Sequence, residues 1–473
     1  MSVALVWFRQ DLRCSDNPAF AAAYNHHAHV IPLYIQDEQT VKLGGAQHWW
    51  LHHSLLALEK KLHELGLRLI LRSGDALEVL SQLIAQHHIE AIYWNRCYEP
   101  ASIHRDQTIK ATLRQQGTRV ISSNGSLMNE PWTIKNKSDD FFKVFTPYWR
   151  HCLQQQVIPQ PIVLHNTPST PEVLSDELKH WNLLPKTINW AAEFGSHWQP
   201  GEDGAQKKLD YFVSHHLKHY KTSRDIPAQD ATSKLSPHLH FGELSPWHVW
   251  RTIQHAMVDR DYDVASAERF LSEIGWREFS YHLLYHVPTL PESNFKTQFD
   301  AFPWKEDPSL LRRWQKGLTG YPIVDAGMRE LWATGYMHNR VRMITASFLT
   351  KDLLIDWRHG AAWFLDTLVD ADLASNSASW QWVSGCGADA APYFRIFNPV
   401  LQGEKFDPQG DYIRRWVPEL QKVPHRWIHQ PWAAPKNELG LLLGKDYPKP
   451  IVDHNKARSL ALLHYQTIKK DQS

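Results

Sequence analysis

Val3-Ala-Leu-Val-Trp-Phe-Arg-Gln-Asp-Leu-Arg13 is the stretch on which the fold turns. Its first six residues are β-branched, aliphatic or aromatic and read as a strand. Similar short runs return at residues 30–35, 68–72, 91–94 and 119–122. Between them, Trp50, Leu51, Ser54, Leu55, Leu58, Leu62 and Leu65 recur at helical spacing over 47–65, and residues 77–84 repeat the pattern. Strand alternating with helix predicts a doubly wound parallel sheet covered by helices on both faces. The turn after the first strand is Arg9-Gln10-Asp11-Leu12-Arg13, where a dinucleotide fold of the G-x-G-x-x-G kind needs glycines, so that mode of nucleotide binding is excluded. Outward from this segment, Pro159, Pro161, Pro168, Pro171 and Pro185 mark a surface connector. From Gly201 to about Tyr465 the strand signals fade and 3.6-residue periodicity takes over. The expected division is an α/β domain over 1–130, a connector over 131–200 and an all-α domain over 201–473.

The chain has 473 residues, 43% hydrophobic and 21% charged, enough for a large folded core and incompatible with global disorder. Its net charge of +1 excludes a histone-like binder but leaves room for a local basic stripe. Four cysteines without a C-x-x-C pair fit neither a disulfide scaffold nor a zinc ribbon. The N-terminus carries no basic leader and no apolar run approaches a membrane span, so the expectation is a soluble, cytoplasmic protein with no membrane partner. Gly440-Leu-Leu-Leu-Gly444-Lys445-Asp446 fails as a P-loop, because the spacing is one residue short and Asp446 stands where a hydroxyl must bind magnesium. Adjacent histidines occur at 26–27, 87–88 and 215–216; with 29 histidines such pairs arise by chance, and no metal site is expected. The 22 tryptophans are about three to four times ordinary usage and call for more than packing.

Three clusters carry chemistry. Tyr220-Lys-Thr-Ser-Arg224 is followed by Thr232-Ser233-Lys234-Leu235-Ser236-Pro237. Ser-Pro suggests a helix start with Ser236 as the cap, and hydroxyls with a cation at a helix start can hold a diphosphate. In Glu273-Ile-Gly-Trp276-Arg277-Glu278, the spacing puts Glu273, Trp276 and Arg277 on one helical face, where a carboxylate and an indole could bind a heterocycle. An Arg–Glu surface pair beside a core tryptophan accounts for the same pattern. The third cluster joins Met337-His-Asn-Arg-Val-Arg-Met343 to Asp370-Ala-Asp372 and to Asn376, Trp380 and Trp382. Asn376 and Trp380 lie one turn apart and face the same way. The two aspartates lack a third ligand at metal spacing and suit a ribose or Arg342 better.

Trp7-Phe-Arg-Gln-Asp-Leu-Arg13, Trp276-Arg-Glu-Phe279, Gly320-Tyr-Pro-Ile-Val-Asp-Ala326, Met337–Met343 and the run from Asp370 to Pro399 together resemble the photolyase/cryptochrome family over nearly the whole chain, and within it the class I cyclobutane pyrimidine dimer photolyases. The resemblance implies an N-terminal antenna domain and a helical domain that holds FAD. It implies a flavin shell of Tyr220, Thr232, Ser233, Leu235, Ser236, Arg277, Asn339, Arg342, Asp370, Asp372 and Asn376, with Asn376 at flavin N5. It also implies light-driven repair, in which reduced flavin lends an electron to the dimer, the ring splits and the electron returns. The partner is then damaged DNA, bound by a monomer, with the dimer flipped out of the duplex. Glu273 would hydrogen-bond it, Trp276 and Trp382 stack on it and Met343 line the pocket. Asn339 would serve flavin and lesion alike, while Arg224, Arg340 and Arg395, with Lys234 and Lys405, would line the mouth with positive charge. Trp380, Trp357 and Trp304 match the relay that photoreduces oxidised flavin.

Several positions depart from that pattern. Phe270 and Tyr336 replace tryptophans, and Ser375 and Ser377 flank Asn376. The Asn-Glu pair that holds folate in enterobacterial relatives falls on Ala101-Ser102, while Leu43–His52 looks like other branches. A second chromophore is expected, methenyltetrahydrofolate in preference to deazaflavin or FMN. The alternatives are a cryptochrome photosensor, against which Asn376 replaces the plant aspartate, and a (6-4) photolyase, which carries histidines at the positions of Asn339 and Met343.

Overall fold

The computed structural model describes residues 2–258 and 263–470. Five parallel strands, β1 (Val3–Phe8), β2 (His29–Gln36), β3 (Ile70–Ser73), β4 (Ala91–Asn95) and β5 (Arg119–Ser123), form one sheet in the order β3-β2-β1-β4-β5. β1 is central: Ala4 faces Val30 on one side and Ala91 on the other. Its residues from Ala4 to Phe8 are at most 1% exposed, because helices cover both faces and no side chain has water to turn to. The Pro18–His26 helix makes the first crossover, and the later ones are made by the Gly45–Glu64, Ala76–His87 and Pro100–Gln115 helices. Asp75 starts the Ala76–His87 helix by accepting the Glu78 amide. Strand ends differ from expectation by at most two residues, which is within the fraying of short parallel strands.

The strand order reverses between β1 and β4, and in doubly wound sheets ligands bind beyond the strand ends at that reversal. Here the chain's own side chains fill the place. Arg9 reaches Asp106 at 3.1 Å, its guanidinium lies 4.3 Å over Trp7 and 5.7 Å from Trp94, and Arg105 covers the same Trp7 ring at 4.8 Å. Asp37 and Asp106 both bind Arg105.

The chain packs as two compact units. The sheet body comprises Met1–His219, Ser233–Pro288 and Val369–Asp372; the helical body comprises Tyr220–Thr232, Thr289–Leu368 and Leu373–Ser473. This differs from the expected boundaries at 130 and 200. The Val264–His286 helix joins the sheet body because Trp276 stacks on Phe145 with ring centroids 3.9 Å apart, and Glu278 accepts the amides of Met128 and Asn129 at 2.8 and 3.1 Å. The helical body is built on Trp314, Trp357, Phe348 and Leu349, all fully buried. Within it Asn339–Ser347 runs on into a π-helical turn, Phe348–Asp352. Among the described residues no helix is long and apolar enough to cross a membrane.

Candidate functional site

In the sheet body, the expected cap at Ser236 is not formed. Leu235 precedes the Ser236–His240 helix with αR backbone, so Ser236 is already helical and its hydroxyl instead donates to Asp370 Oδ2 at 2.6 Å. Asp372 accepts from the Tyr281 hydroxyl and lies 3.4 Å from His240 Nδ1. Burial opposes its charge, but His240, Arg277 and Tyr281 together hold the carboxyl well below the usual carboxylate range. Asp370 and Asp372 are therefore anchored to hydroxyls and an imidazole of their own body, and neither Ser233 nor Leu235 caps the helix.

The face expected to unite Glu273, Trp276 and Arg277 separates into three environments. Glu273 pairs with Arg269 one turn earlier at 3.1 Å, both partly exposed, and this is the surface pair that the spacing also allowed. Trp276 stacks on Phe145, and Arg277 donates to the carbonyls of Ser126 and Leu239 at 2.8 and 3.3 Å. Helical spacing fixes which residues are neighbours, not which distant segment covers them.

In the helical body, Tyr220 is buried beneath the Arg224 guanidinium, and Thr232 Oγ1 lies 3.5 Å from the Tyr336 hydroxyl. Arg342 donates to the Met337 carbonyl at 2.7 Å and covers the Tyr336 ring. Asn339 opens its helix, exposed, behind His338, whose Nδ1 accepts the Arg340 amide. Asn376 directs its amide to the Ala361 carbonyl at 3.0 Å. Arg224 is not the open surface cation that was expected: it is 8% exposed and lies 3.8 Å from Asp225, which also binds Arg340 at 3.0 Å. Arg340 rests on the Phe406 ring, shared with Lys405, and its Nη1 lies 3.7 Å from Met343 Sδ. Lys234 belongs to the sheet body. Trp382 is partly exposed on the Leu373–Ser384 helix.

Of the relay tryptophans, Trp380 is buried against Trp314 and Phe364 at 6.2 and 5.0 Å. Gly360 is required beside it, since a Cβ there would stand 2.1 Å from the Trp380 ring. Trp357 is fully buried and donates to Asn294 at 2.9 Å, whereas Trp304 is partly exposed beside Phe302. Trp380 and Trp357 are both buried, and of the three Trp304 alone is partly exposed.

Family models match most of the chain: "DNA photolyase" over residues 4–170 and "FAD binding domain of DNA photolyase" over 270–467. The chain is 52% identical to a deoxyribodipyrimidine photo-lyase of Agrobacterium fabrum, covering 98% of both proteins. It belongs to the photolyase/cryptochrome family. Cryptochrome-2 of Arabidopsis thaliana is 39% identical over 96% of this chain and 77% of its own length. A solved class III photolyase of Agrobacterium tumefaciens superposes with a TM-score of 0.96 at 51% identity, covering 99% of this chain and 98% of that one. The class I expectation finds no support there. Within the family the activity of this chain is that of a photo-lyase of DNA repair.

The donor chemistry fits FAD, for which the family's domain is named. Guanidinium and hydroxyl groups suit a diphosphate, and buried carboxylates anchored as Asp370 and Asp372 are suit sugar hydroxyls. The sequence reading missed a cavity of 640 Å³ in the sheet body, lined by Trp49, His53, Leu184, Asn189, Trp198 and Gln199. Its size is that of a small-molecule site, and Trp49 packs at 4.5 Å on His53 and edge-on to Phe194 at 5.3 Å. The signal was present as indoles in the 43–52 stretch and the proline-rich connector, but only folding joins them.

Proposed function

We propose that this chain repairs cyclobutane pyrimidine dimers in DNA by light, with FAD as its redox cofactor, and that it stands with the class III photolyases. The observation that carries this reading is the 51% identity and 0.96 TM-score to a class III enzyme across the whole chain. Asn339 and Met343, in place of the histidines of the (6-4) branch, favour cyclobutane dimers.

FAD would be held by Tyr220, Thr232, Ser233, Leu235, Ser236, Arg277, Asn339, Arg342, Asp370, Asp372 and Asn376, the shell that the family resemblance implies. Bound and reduced, it supplies one electron that opens the dimer ring and takes it back. The protein's part is to bind, orient and exclude water. Arg224, Arg340 and Arg395 grip phosphates, which carry no sequence information. Flipping costs least at a damaged, poorly stacked base, so extrusion itself selects the lesion. Glu273 leaves Arg269 to accept a hydrogen bond from the extruded dimer, whose rings stack on Trp276 and Trp382 beside Met343. Trp304, Trp357 and Trp380 would pass electrons inward during photoreduction, from the partly exposed Trp304 to the buried Trp380. The protein acts as a monomer.

A second chromophore would occupy the Trp49–Trp198 cavity. The strand-end crevice is closed by Arg9, Arg105 and Asp106, whereas the cavity offers indole faces to a flat heterocycle and Asn189 and Gln199 to its polar edge. Methenyltetrahydrofolate is favoured over deazaflavin or FMN.

Duplexes bearing one defined lesion test the function. Illumination with the reduced protein should split cyclobutane dimers back to intact pyrimidines, with no turnover in the dark and none of the (6-4) product. No turnover of either lesion in light would point to the photosensor reading, and turnover of the (6-4) lesion would overturn the assignment.

A further inference from the structure

Fully buried lysines are rare unless paired, yet Lys351 of the helical body is 1% exposed and makes no ion pair among the described residues. It lies in the π-helical turn Phe348–Asp352, and π-turns gather at functional sites because the extra residue re-aims the side chains around it. The chain leaves this turn through Leu354 at a φ of +58°, a left-handed conformation that a leucine adopts only at a cost in strain. Burial pushes the Lys351 ammonium down to about 7, while neighbouring Asp352, also buried, is raised to about 6 and pairs with His454.

The ammonium has one hydrogen-bond acceptor among the described residues, the main-chain carbonyl of Arg395 at 3.1 Å, and it lies 5.1 Å from the Tyr393 ring. Tyr393 is stacked on Tyr465 at 4.5 Å and packs on Phe299 and Phe302, each at 5.7 Å. Two residues beyond Arg395, the Phe397 amide donates to Ser347 Oγ at 3.3 Å, one turn before Lys351. The stretch between the Leu373–Ser384 and Pro399–Phe406 helices is therefore held at Arg395 by Lys351 of the π-turn and at Phe397 by Ser347 of the helix that leads into it. Any apolar side chain could fill the space beneath it; a buried ammonium is needed only if the carbonyl's position matters.

We propose that Lys351 is a positioning residue for DNA binding, its ammonium fixing the main chain of Arg395 so that the guanidinium is presented to phosphate. This rests on the reading that Arg395 meets DNA. The test uses the full-length holoprotein, with Lys351→Met, Arg395→Ala and their combination, and a duplex with and without one cyclobutane dimer. Lys351→Met should weaken binding about tenfold, the scale of one lost hydrogen bond to a charged group. The double variant should bind no more weakly than Arg395→Ala, and Lys351→Arg, which keeps the cation, should recover part of the loss. Amide exchange across residues 386–397 should quicken in Lys351→Met. A purely structural lysine would lower the melting temperature without coupling to Arg395. Additive losses, wild-type affinity or unchanged exchange overturns the proposal. Should Lys351→Met fail to fold, Lys351→Gln enters the same cycle. If the wild-type protein binds neither duplex, the DNA reading falls by itself, and the exchange measurement still decides whether Lys351 holds this segment.

Discussion

Arg9 with Arg105 in the sheet body and Arg224 with Arg340 in the helical body look alike in the sequence, each an arginine pair near aspartate. In the sheet body two guanidinium groups meet two carboxylates, Asp37 and Asp106, and both rest on the Trp7 face. The set is closed, and its charges cancel within it. In the helical body two guanidinium groups share one carboxylate, Asp225, while Lys405 adds a third cation over the Phe406 ring. There the carboxylate is 34% exposed, whereas Asp37 and Asp106 are sealed from water. The difference teaches that an arginine–aspartate neighbourhood is structural when its carboxylates are sealed from water and open to an outside anion when they are not, whatever the net charge of the chain.

The largest effect expected lies in the helical body and is not one of stability. Trp380→Phe keeps an aromatic ring against Trp314, Phe364 and Gly360 but removes the oxidisable indole. Photoreduction of the oxidised flavin should slow by orders of magnitude while flavin content and dark DNA affinity stay near wild type. Photoreduction at the wild-type rate under identical light and reductant would remove Trp380 from the relay.

Arg9→Ala in the balanced set should act through stability alone. It leaves Asp106 buried with half its partners and bares two indole faces, at a cost of about 3–5 kcal/mol. Chemical denaturation should show the loss, and DNA affinity of the folded fraction should not change. A weakened affinity with intact stability would erase the distinction between the two sets.

Glu278 sharpens the picture of the sheet body. Burial pushes its carboxyl up to about 7, against the pull of Arg277, even as it accepts the Met128 and Asn129 amides. A carboxyl whose folded pKa lies above its unfolded value favours the folded state when protonated. Its contribution is full below about pH 4.5 and is lost as pH rises through about 7. Glu278→Gln mimics the protonated acid, so its stability relative to wild type should improve between pH 5 and pH 8, by about 3 kcal/mol at most. Parallel stability curves for the two proteins across that range would contradict this.

The fold was legible because its signals are local. Val3–Phe8 is apolar at every position since both its faces are covered, and the turn after it carries Arg9 and Asp11 where a dinucleotide turn has glycines. The candidate site is a set of residues in the sequence, and their arrangement is not legible there. Ser236 looked like a cap because Ser-Pro usually is one, but whether the preceding Leu235 is helical depends on tertiary packing. The neighbours of Glu273, Trp276 and Arg277 come from Arg269, Phe145 and Ser126, and only the first of these is near in sequence. Arg224 was read as one of the cations at the pocket mouth, and nothing in the chain's order says that Asp225 beside it will also bind Arg340. Lys351 gave no signal at all, since a π-turn has no residue pattern of its own.

Salt titration of DNA binding tests most directly whether the arginines of the helical body grip phosphate while Glu273 reads the lesion. Each phosphate contact contributes about 0.9 to the slope of log K against log salt on duplex DNA. Arg340→Ala should flatten that slope by about this amount on damaged and undamaged duplexes alike. Glu273→Ala should leave the slope unchanged and weaken only the damaged duplex, by about 1.5–3 kcal/mol. A slope unchanged by Arg340→Ala, or an equal loss on both duplexes for Glu273→Ala, would contradict this division of labour.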